Sequence, residues 1–160
     1  MSGFESNPPK WMLADVSACE QLAFSMAPER LASVATNLLE SCCRAVAAPP
    51  EEVLSVIRIG KNKQDWGCGH DAFDAVRVLT LEAQRRKASP KNASYALLFV
   101  AENAAAVLYN ATVPRDPFDA DRGTSFLLCV ADFLPMLPPP ERERLQRELA
   151  DLVESRLRSG

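Results

Sequence analysis

Along most of this chain apolar residues return every three or four positions, the spacing of one face of an α-helix. Val16, Cys19, Leu22 and Ala23 share such a face and predict a first helix from about Asp15 to Phe24. A second helix opens at Pro28, where a missing N–H costs nothing, with Glu29 near the positive end of the dipole. Its stripe is Leu31, Val34, Leu38, Cys42 and Ala45, and Pro49-Pro50 ends it. A short helix follows from Glu51 to about Arg58, although the β-branched run Val53–Ile59 leaves a strand as the alternative. The next helix runs from near Asp71 to Lys87 on Phe73, Val76, Leu79 and Ala83. Ala93 to Tyr109, ASYALLFVAENAAAVLY, is apolar on every side apart from Glu102 and Asn103. Such a segment has to be enclosed by protein. Asp119 is placed to cap a helix running through Leu134, with Phe126, Val130, Phe133 and Leu137 inward. After Pro138–Pro140 a last helix, Glu141 to Arg158, carries the narrow stripe Leu145, Leu149, Leu152 and Leu157. Glu143–Arg147 and Glu154–Arg158 are spaced to pair along it.

The pattern predicts an all-α fold of six to seven helices packed around a central apolar helix near 93–109. Residues 1–10, with Gly3, Ser6, Asn7, Pro8 and Pro9, are expected as a flexible arm ahead of one helical domain, 11–160. The segments 60–70 and 112–122 are too rich in Gly, Pro and charge to be core and are expected as long loops.

Composition narrows the classes of function. A length of 160 residues suits one domain with a full core. The net charge of −3 provides no basic surplus, so neither nucleic acid nor an anionic membrane is expected as a partner. Arg85, Arg86 and Lys87 form a basic run that suits a helix C-terminus. The longest apolar run is too short for a membrane span and contains Glu102. The N-terminal stretch has neither the basic nor the apolar part of an export signal, and the five cysteines lack paired spacing. Both point to the cytoplasm and to free thiols.

The candidate chemistry is sparse. Cys68-x-His70 offers two ligands where structural zinc needs four, so no metal and no other cofactor is expected. The same two residues could form a thiolate–imidazole pair, but positions two apart in a loop rarely hold that geometry. Cys42 and Cys43 point about 100° apart on a helix, which disfavours a disulfide between them. The acids of Asp116–Gly123 lack the alternation and the twelfth-position Glu of a calcium loop. Glu102 must be paired, neutral or facing a cleft, and Arg44 and Arg77 are candidate partners. Trp66 in one loop and Phe118 in the other each stand beside acids. Such aromatics serve as interface anchors, and Trp66 could equally be a lid packed on the core. The expected partner surface is Trp66, Asp116, Phe118, Asp119 and Asp121.

The stretch NAAAVLYNATVPRDPFDADRG, Asn103 to Gly123, resembles the small helical immunity proteins that neutralise bacterial toxins. The likeness covers about an eighth of the chain and transfers no site residue. It implies a non-catalytic bacterial protein that acts as a stoichiometric inhibitor, with a basic toxin as its partner. The alternatives are a helical adaptor or regulator, and a small hydrolase or transferase using Cys68, His70 or Glu102.

Overall fold

A computed structural model describes residues 16–89, 91–113 and 120–159, with side-chain surroundings for 19–89, 91–113 and 122–151. The arm 1–10 and most of the acidic loop, including Asp116, Phe118 and Asp119, lie outside the described residues; so does the side chain of Asp121. Among the described residues the protein is all-α and contains no strand. The helices are α1 (Val16–Phe24), α2 (Pro28–Arg44), α3 (Glu51–Gly60), α4 (Gly69–Arg85), α5 (Ala93–Asn110), α6 (Ala120–Phe133) and α7 (Pro139–Ser159). The β-branched run 53–59 lies within α3, so helix wins over strand there. No described helix is long and apolar enough to cross a membrane.

Local chemistry explains the ends. Pro28 sits in the first turn of α2. Asn92 caps α5 by accepting the Tyr95 amide at 3.2 Å. Glu51 and Glu52 open α3 and Arg58 closes it, matching the helix dipole. On the described part of α7 the four-apart pair that forms is Arg144–Glu148, at 3.6 Å, rather than Glu143–Arg147. Glu148 also accepts the Ser41 hydroxyl at 2.6 Å, and Arg44 donates to Ser41 at 3.1 Å. These polar groups strap α7 to α2.

The all-round apolarity of α5 is matched by burial. Leu97, Leu98 and every residue from Val100 to Leu108 are buried, and α2, α3, α4 and α6 all pack on this helix. Small side chains make the closest approach. Gly69, Ala72, Val76 and Thr80 are the buried positions of α4, which packs on α5. A methyl group on Gly69 would lie 2.6 Å from the Ala105 carbonyl oxygen. The buried stripe of α4 therefore differs from the expected one. Phe73, Leu79 and Ala83 are only half-buried, and Val78 and Leu81 are exposed.

The segment 60–70 also departs from the expected loop. Lys63–Cys68 forms 3-10 turns between α3 and α4, started by Asn62 accepting the Gln64 amide at 3.2 Å. None of the described glycines has positive φ. Gly60 and Gly69 are required by helix contacts: a methyl group on Gly60 would collide with Thr36 of α2. Gly60 and Gly69 thus signal close packing, which a one-dimensional reading takes for a turn, whereas Gly67 has open space around it.

Candidate functional site

The sequence-predicted residues do not assemble into one site. Trp66 is 4% exposed, and its indole N–H donates to the Gly60 carbonyl at 3.0 Å. It is a lid packed on the core, and the expectation of a surface anchor at Trp66 is corrected on that ground. An anchor needs free surface, and the apolar bulk of indole stabilises the turns more by burial. Cys68 and His70 are both exposed, at the junction of the 3-10 turns with α4. The His70 ring meets Tyr109 edge-on at 5.3 Å between centroids, and its Nδ1 lies 3.7 Å from Asp74 and 4.0 Å from Asp71. Exposed neighbours of this kind are what a solvated helix start collects.

Glu102 is buried, and Arg77 of α4 donates to it at 3.3 Å. The other carboxylate oxygen, Oε1, is sealed without a hydrogen-bond partner among the described residues. Arg77 follows His70 by seven positions, about 10 Å along a helix. The pairs His70–Tyr109 and Arg77–Glu102 are therefore successive rungs of an antiparallel α4–α5 contact. Cys68, His70 and Glu102 are spread along that contact and do not converge.

A concave site lies on the other side of α5. Tyr95 and Phe99, one turn apart, form an edge-to-face pair with centroids 5.1 Å apart. With Ala96 of α5, Cys129 and Asp132 of α6, and Met136, they line a pocket of about 290 Å³. Asn103, one turn further along α5, donates to the Phe99 carbonyl at 2.9 Å and to the Cys129 sulfur at 3.5 Å. Burial pushes the Cys129 thiol up to about 11, and the carboxylates of Asp132 and Glu102 push the same way against the Asn103 hydrogen bond. Cys129 is therefore a neutral thiol near pH 7 and a poor nucleophile.

Asp132 is exposed and lies in the last turn of α6, where the dipole disfavours negative charge. Among the described residues it has no ion-pair partner. A second groove, of about 350 Å³, runs between α4 and the start of α5 and includes Leu79, Glu82, Arg86 and Leu98. Tyr95 lines both grooves.

Sequence reasoning missed this site because Tyr95 and Phe99 sit in the most apolar segment and read there as core. Two signals were available: an aromatic pair at four-residue spacing near a helix start, and an acid in the final turn of a helix. Comparison of the chain with protein-family models, curated proteins and solved structures finds no match.

Proposed function

We propose that this protein acts by binding another protein, and within that class as a stoichiometric inhibitor of the immunity-protein type directed at a basic toxin. The observation that carries the reading is the pair of grooves meeting at Tyr95. Concave apolar surface with aromatic and methionine walls and a charged rim is the make-up of an interface core. At about 290 Å³ the α5–α6 pocket is at the small end for a metabolite site and suits inserted side chains of a partner. The overall charge of −3 and the rim carboxylate of Asp132 favour a basic partner. Asp116, Phe118, Asp119 and Asp121, which precede or open α6 at the end of that helix away from Asp132, are proposed as a second part of the partner surface, three acids and one aromatic. Such a protein works in the cytoplasm, where its target is made.

The test is co-expression with the product of the adjacent gene. The expected result is a one-to-one complex on gel filtration that suppresses that product's toxicity. Tyr95→Ala and Asp119→Ala/Asp121→Ala should each weaken it, the second more strongly at low salt. Absence of a complex, or variants that bind and protect like the wild type, overturns the reading.

A further inference from the structure

The α5–α6 pocket restricts what can fill it. Its walls are Tyr95, Phe99, Ala96 and Met136, and its one exposed charge is the Asp132 carboxylate. A wholly apolar occupant would strip water from Asp132 and leave the carboxylate without a partner. An anionic occupant would be repelled by Asp132. What fits is a cation carried on an apolar stem. A guanidinium fits better than an ammonium, because it is planar and weakly hydrated. It stacks on aromatic rings and can pair with a carboxylate through two N–H groups.

Resting on the reading above, we propose that this pocket binds an arginine side chain of the partner protein. Its stem lies against Tyr95, Phe99 and Met136, and its guanidinium meets Asp132. The site also explains why an acid stands at the C-terminal end of α6: its unfavourable interaction with the dipole is relieved when the cation arrives.

The test is an NMR titration of the ¹⁵N-labelled full chain with N-acetylarginine N-methylamide. The norleucine analogue, which keeps an apolar stem and lacks the charge, is the control. Saturable shifts are expected at the amides of Tyr95, Phe99, Cys129 and Asp132. The norleucine analogue, and arginine against Asp132→Asn, should each bind about fivefold more weakly. Asp132 is exposed, so the variant's spectrum should otherwise match the wild type. Equal binding of norleucine, unchanged affinity in Asp132→Asn, or shifts confined to other surfaces overturns the arginine assignment. The wider protein-binding reading is decided separately by the co-expression experiment.

Discussion

Glu102 is a carboxylate with one oxygen held by Arg77 and the other sealed and unpaired. A buried charge deprived of its partner is more damaging than the loss of the pair as a whole. Arg77→Ala should therefore destabilise the protein by about 2 kcal/mol, below the full penalty because Arg77 is half in water. Adding Glu102→Gln to that variant should restore part of the loss, since the remaining amide carries no charge. Urea unfolding of the two variants checks this. A double variant no more stable than Arg77→Ala would mean that the charge on Glu102 is not the source of strain. That Glu102 needed a partner was legible in the sequence, because a carboxylate interrupting an apolar helix has few options. The choice of Arg77 over Arg44 was not legible. Arg44 is engaged with Ser41 of its own helix, and only the antiparallel register of α4 and α5 brings Arg77 to Glu102.

At the scale of elements, the periodicity located every described helix to within a few residues, and the prolines marked the breaks. It was weaker on which face is buried. The large apolar residues of α4 suggested Phe73, Val76, Leu79 and Ala83, whereas the buried positions are Gly69, Ala72, Val76 and Thr80. A close helix crossing is lined by small residues, and these carry little hydrophobic signal. The end of α4 shows a second kind of local conflict. Lys87 adopts φ 58°, the left-handed conformation usually given to glycine, while the Ala88 amide reaches back to the Ala83 carbonyl at 3.0 Å. The Lys87 amide donates to Gln84 at 2.9 Å, completing a Schellman end. Lys87→Gly should raise stability by about 0.5–1 kcal/mol, the left-handed strain removed less the entropy that glycine adds to the unfolded chain. A midpoint of denaturation at or below the wild-type value would count against a strained helix end.

At the scale of the whole molecule, burial couples the cysteines to stability. Folding pushes the thiols of Cys43 and Cys129 from 9.0 up to about 11, and Cys42 upward as well, chiefly by removing them from water. The unfolded chain therefore loses these protons first as pH rises. The stabilisation is complete below about pH 9 and is lost as pH climbs through about 11, because the native state then binds more protons than the unfolded state. Denaturation midpoints should fall more steeply over that interval for the wild type than for Cys43→Ala/Cys129→Ala. Parallel slopes would show that these thiols do not differ between the folded and unfolded states. Reagents at pH 8 should modify Cys68 well before the other thiols, since it alone among the five is exposed.

The sequence by itself determined the all-helical class, the order of the helices and the need to enclose most of the segment 93–109, of which Leu97, Leu98 and Val100–Leu108 are the buried part. Those follow from local periodicity, turn chemistry and apolar content, which one dimension records. The tertiary structure decided that Trp66 is a lid, that Gly60 and Gly69 are contact points, and that Tyr95, Phe99, Asp132 and Met136 share a pocket. Each depends on the register at which two helices meet, and the packed backbone sets that register. The same distinction separates the two kinds of candidate site. Cys68 and His70 are neighbours in sequence and lie exposed at the surface, whereas the residues of the α5–α6 pocket come together only when those helices pack antiparallel.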